Sequence, residues 1–134
     1  MKLLLLILFF LSLNVGARCG KVSRNFCNVK VVDLYDGDTF YINLPKVPSL
    51  LGKRLGIRVK GIDTPEIRGG SAYEKAMAKK AKIFTKKMLD GARKVDLKSC
   101  VRGKYFRIVC NVYIDGKSLA KALVRNGLAV KYKG

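Results

Sequence analysis

The sequence predicts a mainly β fold of the α+β class: a five-stranded Greek-key barrel of the OB type, with one helix after the third strand and another after the fifth. Three observations predict it. Short runs rich in valine, isoleucine and aromatic residues alternate with a period of two, Gly, Pro and Asp-Gly punctuate them, and two stretches of helical period stand where the barrel needs helices. At 134 residues the chain has room for one such domain with a modest core. It contains no internal repeat and no low-complexity tract.

The first 17 residues stand apart from the domain, which is expected over residues 18–134. Lys2 gives a positive start, Leu3 to Leu13 is apolar apart from Ser12, and Val15-Gly16-Ala17 puts small residues where a signal peptidase cuts, so cleavage is expected near Ala17. The apolar run is shorter than the roughly 18 to 20 residues a membrane span requires. Arg18 directly before Cys19 argues against lipid attachment. The chain is therefore expected to be exported, to a periplasm or outside the cell, without stable membrane association after cleavage.

Asn28 to Tyr35 and Thr39 to Asn43 read as two strands joined by Asp36-Gly37-Asp38, a tight hairpin in which glycine would take a positive φ. This puts Asp38 at a strand end. Leu44 to Gly56, with Pro45, Pro48, Gly52 and Gly56, reads as a long connection, and Ile57 to Ile62 as the third strand. Asp63-Thr64-Pro65 ends that strand because Pro65 disfavours a helical Thr64, and Glu66 follows in a loop with Gly69 and Gly70.

A long helix then starts at the capping-box pair Ser71 and Glu74. Tyr73, Ala76, Met77, Ala81, Phe84 and Met88 recur at helical spacing, and Gly91 follows the end. Lys75, Lys79, Lys82 and Lys86 form a solvated opposite face that adds to the field attracting phosphate. Val95 to Val101 and Phe106 to Ile114 alternate as an antiparallel pair. Asp115-Gly116 leads into a second helix near Ser118 to Asn126, closed by Gly127.

Twenty-eight basic residues against nine acidic ones give a formal charge of +19, which suits polyanionic partners, nucleic acid first among them. Cleaving the leader removes only one basic residue, Lys2. A membrane-active cationic protein would share this charge, but the apolar stripes here are sized for a core. The four cysteines, in an exported chain, read as disulfides. Four cysteines allow three pairings, and proximity favours Cys19 with Cys27 and Cys100 with Cys110. The alternation also leaves Cys110 the reading of a buried free thiol. With no histidine and no Cys-x-x-Cys knuckle, structural zinc is disfavoured.

Four of the nine acidic residues fall in two strings, Asp36-Gly37-Asp38-Thr39 and Asp63-Thr64-Pro65-Glu66. Carboxylates gathered inside so basic a chain most often hold a divalent cation. These strings, Arg58 five residues before Asp63, Lys104-Tyr105-Phe106-Arg107, and Asp115-Gly116-Lys117 continuing through Ala122-Leu123-Val124-Arg125-Asn126-Gly127-Leu128-Ala129 resemble the staphylococcal nuclease family, in order and at compatible spacing. The match runs roughly from Val29 to Ala129. The resemblance implies a five-stranded barrel and a calcium-dependent phosphodiesterase that cuts single-stranded DNA and RNA to 3′-phosphate products. The expected partners are therefore single strands of either nucleic acid, met by a monomer.

The residues also make chemical sense unaided. Hydrolysing a phosphodiester takes a water, a group to deprotonate it, and positive charge on the non-bridging oxygens. Asp38 and Asp63 offer oxygen ligands to a hard cation such as calcium. The resemblance adds the backbone carbonyl of Thr64 to them. Glu66 is the candidate base, since the other glutamate, Glu74, is spent in capping. Arg58 and Arg107 are candidates for a phosphate clamp, because a guanidinium offers two parallel donors and stays charged; their family positions distinguish them from ordinary surface arginines. The resemblance further assigns substrate binding to Lys104, Tyr105 and Tyr132, and Asp36 is read either as turn chemistry or as a support behind the metal-facing Asp38. A catalytically silent barrel that only binds nucleic acid would not require these acids and arginines together.

Three departures accompany the resemblance. Phe106 stands where the family usually has glycine, the Leu44 to Gly56 connection is longer than its counterpart, and no further helix follows Lys131-Tyr132-Lys133.

Overall fold

The computed structural model describes Cys19 and residues 23–133, so the expected leader lies outside the described residues. The elements run β1 (Lys30–Leu34), β2 (Thr39–Asn43), α1 (Ser49–Gly52), β3 (Leu55–Val59), β4 (Ile62–Asp63), α2 (Ala72–Asp90), β5 (Val95–Arg102), β6 (Arg107–Ile114), β7 (Lys117–Ser118), α3 (Leu119–Arg125) and β8 (Val130–Lys131). Five strands curl into a half-barrel in the order β1-β2-β3-β6-β5, and β7 adds to β6. The pairings are antiparallel except β3 with β6, which is parallel.

The two edges of this sheet meet through the chain before β1. Phe26 and Leu97 exchange both backbone hydrogen bonds at 2.8 Å, and Val29 N–H donates to the Val95 carbonyl at 2.9 Å. Edge groups that would otherwise be open for association are thereby paired. Period-two alternation explains the core. Phe40 and Ile42, Leu55, Ile57 and Val59, Val95 and Leu97, and Cys110, Val112 and Ile114 point inward, and Leu119 and Leu123 of α3 cover the end. Arg58 and Arg107 consequently point outward.

The capping box at Ser71 and Glu74 forms as the sequence predicts, with Ser71 Oγ accepting from Glu74 N–H and the Glu74 carboxylate accepting from Ser71 N–H. The buried face of α2 is Ala78, Ala81 and Thr85 rather than one that includes Tyr73, which is exposed. Both expected disulfides, Cys19–Cys27 and Cys100–Cys110, are present, which removes the free-thiol reading of Cys110. Among the described residues no helix is long and apolar enough to cross a membrane.

Several expectations need correction. The third strand is Leu55–Val59 and not Ile57 to Ile62: Gly61, at φ 80°, turns the chain after Lys60, and Ile62–Asp63 instead pairs with Val130–Lys131. That small second sheet was not foreseen, because two-residue strands carry no periodic signal. The long connection contains a helical turn, Ser49–Gly52, pinned by Leu44 N–H to the Gly52 carbonyl at 2.8 Å. Gly37 is not at positive φ. It is needed for space, since a Cβ there would lie 2.7 Å from the Ala81 Cβ and 3.0 Å from the Thr64 methyl. The fifth strand begins at Arg107, because Tyr105 and Phe106 form the turn with φ of 56° and 58°.

Candidate functional site

Asp38 stands just before β2 and Asp63 ends β4, so both acids sit at strand ends. Arg58 lies on β3 opposite Thr39, and its guanidinium bridges the two acids. Its Nη1 donates to Asp38 Oδ1 at 2.8 Å and its Nη2 to Asp63 Oδ1 at 2.5 Å. Asp38 is also tied to its neighbours: Oδ1 accepts from Thr39 Oγ1 at 3.0 Å, and Oδ2 from Thr64 N–H at 2.9 Å. A carboxylate that is 1% exposed needs this pairing, because burying a charge without it costs several kcal/mol.

Helix α2 holds the hairpin turn from below. Thr85 Oγ1 donates to the Gly37 carbonyl at 2.7 Å, and Ala81 packs directly on Gly37. A fully buried threonine among the lysines of this helix is a polar side chain on a core-facing position, and that is the signal by which Thr85 was detectable. Of its two readings, Asp36 takes the one that supports Asp38. It is buried, its Oδ1 accepts from Asp38 N–H at 3.1 Å, and burial together with the adjacent Asp38 charge pushes its carboxyl up to about 7. For Arg58, burial disfavours the charge, but attraction from Asp38 and the bond to Asp63 outweigh it and raise its pKa.

The remaining candidates surround this bridge at different removes. Glu66 is exposed and lines a groove of about 450 Å³ together with Asp63, Thr64, Arg68 and the Gly127 to Val130 segment. Arg107 is aligned with Gly56 as Arg58 is with Val109, so both arginines lie on the outer face two strand positions apart. Its stem runs over Gly56, where a Cβ would meet Cγ at 3.0 Å. It takes no part in the Asp38–Arg58–Asp63 bridge, and its guanidinium lies 5.7 Å from the centre of the Tyr105 ring. Lys104 and Tyr105 are exposed in the β5–β6 turn, and Tyr132, also exposed, follows β8 with its N–H on the Gly61 carbonyl.

The donor set fits a hard divalent cation. It is oxygen only, it carries two carboxylates on adjoining strand ends, and the buried Thr64 Oγ1 beside them has no hydrogen-bond partner. The bridging guanidinium supplies the balancing positive charge between the two acids. Among the described residues, the one convergence of three potential ligand groups is Cys19, Cys27 and Asp96, where both sulfurs are already joined to each other.

Comparison with known proteins gives the family. Residues 56–134 match the family model described as staphylococcal nuclease homologue, a span that contains Arg58, Asp63, Thr64, Glu66 and Arg107 and leaves Asp38 before it. Endonuclease YncB of Bacillus subtilis (strain 168) is 29% identical over 117 residues, covering 85% of this chain and 52% of that protein. Thermonuclease of Staphylococcus hyicus is 26% identical over 111 residues, covering 82% of this chain and 62% of its own. The chain thus spans between half and two thirds of the length of these relatives. With the family model covering more than half of its residues and the bridged acids standing on adjoining strand ends, the chain belongs to the staphylococcal nuclease family.

Proposed function

We propose that this chain is an exported, calcium-dependent nuclease that hydrolyses phosphodiester bonds of single-stranded DNA and RNA and leaves 3′-phosphates. The observation that carries the reading is the Asp38–Arg58–Asp63 bridge with Glu66 on the adjoining groove, which joins oxygen ligands, a hydrogen-bond donor for phosphate and a base. The names of the two relatives, an endonuclease and a thermonuclease, support it. The half-barrel with its joined edges supports a closed Greek-key barrel of the OB type, an architecture suited to single strands.

Asp38, Asp63 and the Thr64 carbonyl would hold calcium once Arg58 releases the two carboxylates. The bound ion would add positive charge at the phosphate oxygens. Arg58 then turns its two parallel donors to a non-bridging oxygen, and Arg107 supplies a second clamp from the same face. Glu66 takes the proton of the attacking water as the new P–O bond forms and the bond to the 5′-oxygen breaks in line, the departing oxygen taking a proton from solvent water.

Purified protein incubated with single-stranded DNA and RNA, in calcium or in chelator, tests this together with Arg58→Ala and Glu66→Gln. Calcium-dependent cutting that both variants lose is the expected result. Cutting in chelator, or undiminished cutting by both variants, overturns the mechanism. Salt-sensitive binding without any cutting assigns the chain to silent nucleic-acid binding.

A further inference from the structure

A second groove, of about 550 Å³, opens between the Leu44 to Gly52 connection and the β5–β6 turn. Its walls are apolar, made by Phe26, Leu44, Val47, Leu51, Leu55 and Phe106, and its only charged lining residues are Arg24, Arg102 and Arg107. The volume is that of a small-molecule site. An apolar slot ringed only by cations is complementary to a flat aromatic group that carries anions on either side, which describes a nucleobase between two phosphates.

Two features make the slot more than an incidental cleft. Phe106 is 68% exposed, and with Tyr105 it takes the positive φ that a type I′ turn requires at both central positions, so the turn closed by Arg107 N–H on the Lys104 carbonyl presents the Phe106 ring to solvent where a smaller residue would serve the turn. Arg107 belongs to both places. It lines this slot, and it stands on the same outer face as Arg58, two positions away along the paired strands, about 7 Å. A strand whose reacting phosphate is clamped by Arg58 and Arg107 therefore has its neighbouring base within reach of the slot.

We propose that this slot is a base-binding subsite that takes one unpaired nucleobase stacked on Phe106, lying between the reacting phosphate at Arg58 and Arg107 and a flanking phosphate held by Arg24 and Arg102. The proposal rests on the nuclease reading and gives it a physical source of single-strand preference, because a paired base cannot enter the slot.

The test is binding of a fluorescent single-stranded deoxythymidine dodecamer in chelator, with one abasic site moved along its length, to the wild type, Phe106→Gly and Leu51→Ser. Glycine adopts the turn conformation without strain, so Phe106→Gly is expected to melt at the same temperature or higher and yet bind the intact strand about tenfold more weakly. Its binding should be indifferent to the abasic position that weakens the wild type. Leu51→Ser, at the opposite wall, should weaken binding in the same pattern. Unchanged affinity in Phe106→Gly, or abasic losses that multiply with the mutational loss at every position, overturns the subsite. So does a concentration-dependent dimer of the wild type that Phe106→Gly abolishes, which would assign the slot to a second copy. Cutting of the same strand in calcium is scored separately: the abasic pattern without cutting defeats the nuclease reading alone, and cutting without the pattern defeats the subsite alone.

Discussion

Arg58 holds the nearly inaccessible carboxylate of Asp38 at 2.8 Å, and with its other terminal nitrogen it holds Asp63. The guanidinium thus stands as the counter-ion of the two acids proposed to bind calcium. Ion and arginine compete for the same oxygens, so Arg58→Met is expected to tighten calcium binding to the nucleotide-free protein, read by isothermal titration. In chelator the same substitution leaves Asp38 unpaired and should lower stability by about 3 kcal/mol in urea unfolding. Calcium binding that weakens would show that Arg58 supports the cation site.

Glu66 is exposed and contributes to no core, so its replacement should leave the fold alone. For Glu66→Gln we expect an unchanged melting temperature and a turnover lower by about two to four orders of magnitude, with KM little altered. Steady-state kinetics on a short oligonucleotide separates this from a binding role, which would raise KM instead.

Gly37 touches Ala81 so closely that one added carbon lies 2.7 Å from the Ala81 Cβ. Gly37→Ala should cost about 1–3 kcal/mol through overpacking and displace the turn that carries Asp38. Ala81→Gly removes the opposing methyl at a helix cost of about 1 kcal/mol, so the double variant should recover more stability than the single effects predict. Additive losses in urea unfolding would place the strain elsewhere.

Cys100 and Cys110 join β5 to β6 with ten residues of sequence separation. Loop-closure entropy for such a link is worth about 3 kcal/mol, so Cys100→Ala with Cys110→Ala should lower stability by that order. The measurement is urea unfolding of the double variant with the Cys19–Cys27 link intact, and no loss would mean that the reduced chain retains the hairpin when unfolded.

Lys104 is exposed at the turn beside Arg107 and touches neither the acids nor the core. Lys104→Ala should reduce the slope of log affinity against log salt by about one, uniformly across base sequences. A change confined to particular sequences would instead make it a base contact.

Much of the fold is legible locally. The capping box at Ser71 and Glu74, the hairpin flanking Asp36 to Asp38, and the antiparallel pair ending at Ile114 each rest on spacing within a few residues, and each forms. The splitting of the third strand at Gly61, the helical turn at Ser49–Gly52 and the pairing of Ile62–Asp63 with Val130–Lys131 are not legible. Those features consist of two to four residues held by distant partners, and no periodic pattern marks them.

By itself the amino-acid sequence determined which chemical groups were present: oxygen ligands without histidine, two acidic strings at strand ends, arginines in the proposed clamp positions and an excess of positive charge. Only the tertiary structure decided how they meet. It placed Arg58 between Asp38 and Asp63, turned Gly37 from a flexible joint into a contact surface for Ala81, and left Arg107 outside the bridge beside the slot that Phe106 borders. Strand register set these outcomes: which residue of β3 faces Thr39, and which of β6 faces Gly56, depends on hydrogen bonds between segments far apart in the chain, as Gly56 and Arg107 are.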